Sequence, residues 1–131
     1  MTTVREVMST DLVTVPPSAT VMEASRVMFA SKTGSTLVMD GPTLVGIFTE
    51  RDILRALSGE SDAGRSSAIV EHMTSRLETI GPDAAVGEAL DRMLFGNFRH
   101  LPVVESERLI GVVSMRDLAG ALAKRRPVRG G

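Results

Sequence analysis

The chain contains no cysteine, tryptophan or tyrosine, and its few aromatic residues are four phenylalanines among 131 positions. Without cysteine there can be no disulfide, thiolate nucleophile or thiolate-held metal; the composition suits a reducing compartment, and a cytoplasmic location is expected. No window holds 18 uninterrupted apolar residues, so no membrane-spanning helix is expected. The opening, Met1 to Glu6, carries an acid and no apolar run, unlike a secretory leader. Charge of one sign is also missing: 15 Lys and Arg stand against 16 Asp and Glu, a net charge of -1, which argues against a general binder of nucleic acid or acidic membrane. HExxH, P-loop, GxSxG, EF-hand and zinc-ligand spacings are absent. The two histidines, His72 and His100, fall on different elements and form no recognisable catalytic pattern with a nucleophile and a carboxylate, and His72, between Glu71 and Met73, reads as a surface residue. No catalysis, metal or catalytic cofactor is expected.

What is present is aliphatic. The chain is 43% hydrophobic with eight methionines, which gives a core of branched side chains and flexible thioethers that tolerates small rearrangements. Its length suits one domain or two small halves. An offset of 65 positions aligns residues 4–57 with 69–122 without a gap. Glu6, Met8, Leu12, Thr14, Pro17, Ala19, Val21, Glu23, Ala24, Met28, Val38, Leu44, Gly46, Arg51, Asp52, Ala56 and Leu57 each meet their own kind. The chain is therefore an internal duplication. Repeat 1 covers 1–60, a small polar linker 61–67, repeat 2 68–124, and a basic, frayed tail 125–131. The tail carries no helix-turn-helix signature with it, and nucleic acid is not an expected partner.

Each repeat shows the same order of signals. A short extended run, Asp11 to Val15 or Leu77 to Ile80, is stopped by proline. A helix follows, opened by the Thr20/Glu23 capping box in repeat 1, with Val21, Ala24 and Met28 at helical spacing, matched by Val86, Ala89 and Met93. Two apolar runs come next, Ser35–Met39 and Leu44–Phe48, then His100–Val104 and Leu109–Val113. Their hairpin-sized polar connectors predict antiparallel pairs. A last helix runs over Glu50–Leu57 and Met115–Ala123.

The chemistry centres on the twice-used strand-to-helix turn. Gly46-Ile47-Phe48-Thr49-Glu50-Arg51-Asp52 returns as Gly111-Val112-Val113-Ser114-Met115-Arg116-Asp117. The hydroxyl and the carboxylate three residues on form a capping box, and equally a pair able to hold the vicinal diol of a ribose beside free helix amides. Gly46 and Gly111 would let backbone meet a planar ligand group face on. Arg51 and Arg116 sit in a first helical turn, where a cation is electrostatically misplaced; contact with phosphate and a solvent-facing or dimer role both remain open.

These turns, with Arg99-His100-Leu101-Pro102-Val103-Val104 and the opening runs Val7-Met8 and Val13-Thr14-Val15, resemble the cystathionine β-synthase (CBS) domain over about Val4 to Ala123. The resemblance implies an α+β fold of two β-α-β-β-α repeats related by a pseudo-twofold axis and packed through their sheets, a stand-alone Bateman-type module with two clefts. It further implies an adenosyl ligand (AMP, ADP, ATP or NAD-like), a regulatory rather than catalytic role, a homodimer and an effector protein. Carried over by residue, cleft 1 comprises Ile47, Thr49, Asp52, Leu77 and Thr79, with Glu78 nearby and Arg99 and His100 toward the phosphate. Cleft 2 comprises Leu12, Val13, Thr14, Val112, Ser114 and Asp117, with uncharged Gly34 and Ser35 in the phosphate position. Cleft 1 therefore looks the better equipped for phosphate. The chain departs from the family at Leu37, where Pro102 keeps the usual proline. The alternative is a dimerisation or protein-interaction module that binds no ligand and uses its turns only as caps. Ile53, Leu57, Leu118 and Leu122 are either its dimer surface or internal core.

Overall fold

The computed structural model describes residues 1–59 and 62–124. The basic tail, 125–131, and Ser61 of the linker lie outside the described residues. The helices and strands are α1 (Val4–Val7), β1 (Thr14–Val15), α2 (Val21–Ser31), β2 (Ser35–Asp40), β3 (Thr43–Thr49), α3 (Glu50–Leu57), α4 (Val86–Gly96), β4 (His100–Glu105), β5 (Arg108–Ser114) and α5 (Met115–Lys124). Two short 3-10 turns, Asp62–Ser66 and Ile69–Glu71, lie between α3 and α4. The fold is α+β, as the resemblance implies.

The chain forms two compact units that do not coincide with the sequence repeats 1–60 and 68–124. The central unit is Leu12–Leu77; the composite unit joins Met1–Asp11 to the chain from Glu78 on. The reason is backbone pairing between segments far apart in sequence. Val4 N–H donates to Ala84 O (2.8 Å) and Arg5 N–H to Pro82 O (2.8 Å), so α1 adds its Val4 to the core made by repeat 2. In the central unit Ile69 N–H donates to Ala19 O (2.8 Å), and Ile69 joins the core of repeat 1. The stretch read as a linker is partly structured: its 3-10 turn packs on α2 and α3 of the central unit.

The sheet of the central unit has the order β1-β2-β3, with β1 parallel to β2 and β2 antiparallel to β3. The composite unit has an antiparallel pair, β4-β5. Its opening run, read as extended over Leu77–Ile80, contributes only a parallel bridge from Ile80 to Val103. Side chains facing one side of each sheet meet the amphipathic helices. Val15, Val38 and Phe48 join Val21, Ala24 and Met28 in one core, and Leu101, Val103 and Val113 join Val86, Ala89, Met93 and Leu118 in the other. The Thr20/Glu23 box starts α2 as expected: Thr20 N–H donates to Glu23 Oε1 (2.9 Å) and Glu23 N–H to Thr20 Oγ1 (3.0 Å). Hydrogen bonding by Thr20, its backbone N–H first and then its side chain, holds the Glu23 carboxyl below its ordinary range.

Of the four helix residues left between core and dimer surface, Leu118 is core, Ile53 and Leu122 pack against the cores, and only Leu57 is exposed. Besides Met1, the most exposed large apolar side chains among the described residues are Phe29 and Leu54 of the central unit and Leu94 and Phe95 of the composite unit, with Phe29 at 87% and Phe95 at 96%.

The hairpins differ in turn chemistry. Gly41 takes the positive φ (60°) of the β2-β3 turn ahead of Pro42, a type II′ arrangement. In the β4-β5 turn both central residues, Ser106 (φ 51°) and Glu107 (φ 65°), are left-handed without being glycine, a type I′ arrangement. A left-handed non-glycine residue costs about 1–2 kcal/mol, part of which glycine returns through its freer unfolded chain. Glu107→Gly is therefore expected to stabilise the protein by about 0.5–1 kcal/mol, seen as a higher urea midpoint with an unchanged slope.

Candidate ligand-binding turns

Both signature turns are built as the sequence reads them, a strand ending on a hydroxyl residue that caps the next helix. In the composite unit the box is reciprocal: Ser114 N–H donates to Asp117 Oδ2 (2.9 Å) and Asp117 N–H to Ser114 Oγ (3.0 Å). In the central unit Thr49 N–H (2.9 Å) and the Thr49 hydroxyl (3.2 Å) both donate to Asp52 Oδ2, and the backbone N–H of Asp52 faces the Thr49 oxygen. The capping role is thus filled in both copies. It uses Oδ2 of each carboxylate, and a carboxylate has lone pairs on two oxygens, so Oδ1 can still accept from a second partner. At Asp52 the guanidinium of Arg55 stands 3.8 Å from Oδ1, on a side chain too exposed for the pair to be worth much.

The first helical amides are tied to the residue just ahead of the paired strand, β2 or β4. Glu50 N–H donates to Gly34 O (3.1 Å) and Met115 N–H to Arg99 O (2.8 Å). The registers are Ser35 opposite Thr49 and His100 opposite Ser114. Within its own unit each turn therefore adjoins its own strand start: Gly34 and Ser35 beside Thr49, Arg99 and His100 beside Ser114. The residue sets carried over from the family each draw on both units. Ile47, Thr49, Asp52 and Leu77 belong to the central unit and Thr79, Arg99 and His100 to the composite one; Leu12, Val13 and Thr14 belong to the central unit and Val112, Ser114 and Asp117 to the composite one.

Several of these residues have structural duties of their own. Val13 O accepts from Leu37 N–H (2.9 Å) and from the Thr36 hydroxyl (3.0 Å), fixing β1 on β2. Thr79 O accepts from Arg92 (2.8 Å). Leu12 and Thr14 are exposed, Ile47 is buried, and Leu77 and Val112 are half-buried.

Two readings are corrected. Gly46 and Gly111 do not make room for a flat ligand group; they make room for the chain. A Cβ at Gly46 would lie 2.5 Å from Met73 Sδ and 3.0 Å from Thr74 O, and one at Gly111 would lie 2.7 Å from Met8 Sδ and 2.9 Å from Ser9 O. Those segments bridge to the neighbouring strand residues, Thr74 to Ile47 and Ser9 to Val112. Met8 and Met73 recur across the repeats because each crosses a glycine. His72 is not a loose surface residue: it is half-buried, with Nε2 2.7 Å from Ser67 Oγ.

The composite unit also contains an open groove of about 610 Å3 lined by Thr2, Glu6, Val7, Arg116, Asp117, Gly120 and Ala121. Its α1 wall was missed in the sequence, although Thr3 and Glu6 carry the box pattern and Thr3 N–H donates to Glu6 Oε2 (2.8 Å). Among the described residues no group of His, Cys, Asp and Glu could hold a metal ion, and no helix is long and apolar enough to cross a membrane.

Comparison with known proteins gives a consistent result. The family model described as CBS domain matches twice, over residues 4–59 and 67–124. The uncharacterized 17.7 kDa protein of the bps2 3′ region of Acidianus ambivalens is 40% identical over 123 residues, covering 92% of this chain and 73% of its own length. Among solved structures, the CBS-domain containing protein ATU1752 from Agrobacterium tumefaciens superposes with a TM-score of 0.89 at 32% identity, over 92% of this chain and 99% of that one. The CBS domain pair of protein MJ0100, in complex with 5′-methylthioadenosine and S-adenosyl-L-methionine, superposes with a TM-score of 0.86 at 26% identity, over 95% and 98%.

Proposed function

The chain belongs to the CBS-domain family as a tandem pair, and from that premise we propose that it is a non-catalytic regulatory module that binds an adenosyl ligand. Candidate ligands are AMP, ADP, ATP, an NAD-like dinucleotide or S-adenosyl-L-methionine. The observation that carries the reading is the pair of turns in which a cap uses one carboxylate oxygen and leaves the other able to accept from a ribose hydroxyl. The MJ0100 pair, similar over nearly its whole length, holds adenosyl compounds. Asp52 and Asp117 take ribose hydroxyls, with Thr49 and Ser114 beside them. Ile47, Leu77 and Thr79, and Val112 with Leu12, Val13 and Thr14, supply the base contacts, while Arg99 and His100 serve a phosphate. Binding acts by favouring one conformation, and the output passes to a homodimer partner or an effector protein. The exposed Phe29, Leu54, Leu94 and Phe95 supply apolar surface for such contacts, and they favour the second reading, a ligand-free interaction module, if no adenosyl compound binds.

Thermal-shift titration with AMP, ADP, ATP and S-adenosyl-L-methionine separates the two. Ligand at 100 times its Kd should stabilise the wild type by about 2.7 kcal/mol. Asp117→Ala should weaken binding by roughly 10–100-fold, the worth of a hydrogen bond to a charged group. No stabilisation by any of the four would leave the interaction module as the reading.

A further inference from the structure

The two turns are alike in sequence but differently covered. Asp52 is 3% exposed, whereas Asp117 is half-buried and lines the open groove. The repeat offset sets Ser67 and His72 against Thr2 and Val7, Asp52 and Ala56 against Asp117 and Ala121, and Arg55, whose guanidinium stands 3.8 Å from Asp52 Oδ1, against Gly120. There the 3-10 turn Asp62–Ser66 rests on α3. It comes so close that a Cβ on Gly64 would lie 2.2 Å from Ala56 O. Ala56 is buried where Ala121 is only half-buried.

The turn is fastened from its far end. Ser67 N–H (3.3 Å) and the Ser67 hydroxyl (2.6 Å) donate to Gly64 O. The hydroxyl has one proton, spent on that carbonyl, so His72 must donate to Ser67 Oγ from Nε2. This also rules the Ser67–His72 pair out as a nucleophile and its base, since the histidine is the donor. Val21 N–H, at the start of α2, donates to Ser67 O (2.9 Å) and anchors the assembly to the rest of the unit.

We propose that Gly64, Ser67 and His72 form a latch that decides which turn is liganded: it holds the 62–67 segment over α3 and closes the Asp52 turn, leaving the Asp117 turn as the first site for an adenosyl ligand. The proposal rests on the adenosyl-binding reading and sharpens it. Ligand at Asp52 must bind the released form, so its apparent affinity is reduced by the fraction of molecules unlatched. Two hydrogen bonds of ordinary strength make that reduction roughly 10–100-fold. The order is the reverse of the one expected from Arg99 and His100 alone.

The test is calorimetric titration of AMP and of S-adenosyl-L-methionine into wild type, Ser67→Ala, Gly64→Ala and their combinations with Asp52→Ala and Asp117→Ala. Ser67→Ala removes the two hydroxyl bonds, to Gly64 O and to His72, and leaves the backbone bonds of Ser67 in place; Gly64→Ala pushes the turn off Ala56 by contact, so the two loosen the latch by different routes. The wild type is expected to show one tighter event, lost in Asp117→Ala. Both latch variants are expected to show a second event tightened roughly 10–100-fold, lost when Asp52→Ala is added. Equal affinity at both turns in the wild type, or an unchanged second event in both latch variants, overturns the latch and leaves adenosyl binding standing. Absence of binding in the wild type and every variant overturns both.

Discussion

Alanine at Phe48 is expected to lower the unfolding free energy by about 3–5 kcal/mol, the cost of a large buried side chain removed together with the cavity it leaves. Phe48 is the aromatic anchor of the central unit, fully buried among Val15, Met28, Val38 and Ile69. Two of the other phenylalanines, Phe29 and Phe95, are almost fully exposed. No neighbour is large enough to replace a benzyl group, although Met28 can swing partly into the space and hold the cost toward the lower end. A protein of this size has only about 5–15 kcal/mol in reserve, so the variant should lose a large part of its stability. The offset places Val113 where Phe48 stands, so Phe48→Val keeps a side chain that the other copy tolerates and should cost less than alanine. Urea unfolding monitored by far-ultraviolet circular dichroism reads both values. A loss below about 1 kcal/mol for Phe48→Ala would contradict the packing described.

The second large effect is expected at Gly111. A methyl group there would come within 2.9 Å of Ser9 O and 2.7 Å of Met8 Sδ. The thioether can move, but the carbonyl belongs to a backbone held by two hydrogen bonds, Ser9 N–H to Val112 O (2.8 Å) and Val112 N–H to Ser9 O (3.0 Å). Gly111→Ala should therefore cost about 1–3 kcal/mol, the usual range for forcing extra atoms into a close-packed place. The segment it displaces carries α1, whose Val4 is core and whose Glu6 and Val7 wall the Asp117 groove, so ligand affinity should fall along with melting temperature. A glycine kept only for a ligand would behave otherwise: affinity would fall and the melting temperature would not. Measuring both on one sample decides between the two roles.

These expectations mark the limit of what local pattern conveys. The duplication, the two hairpins, the helix starting at Val21 and both capped turns depend on residues within a few positions of one another. Their propensities and hydrogen bonds are therefore written in consecutive sequence. The box at Thr20 and Glu23 and the paired strands from Ser35 to Thr49 and from His100 to Ser114 were legible for that reason. The same locality hid α1, whose four residues are too few for a periodic signal and whose Val4 is held by Ala84 and the repeat 2 core. It also hid His72, because a histidine in a short polar turn does not reveal that Ser67 has spent its proton elsewhere.

The candidate site divides in the same way. The sequence by itself determined that two Ser/Thr-x-x-Asp turns exist and that each could cap a helix or hold a diol; that the cap takes only Oδ2 of each carboxylate came from the structure. Tertiary structure alone decided that the adjacent glycines serve the passing Met-Ser and Met-Thr segments, because close approach is a property of two distant backbones and not of either one. It alone decided that repeat and compact unit differ, through bonds that return the chain's first residues to repeat 2. It alone decided that Asp52 is covered and Asp117 lines a groove. Identical motifs carry no information about what the rest of the chain lays over them, and coverage is set by which remote segment packs there.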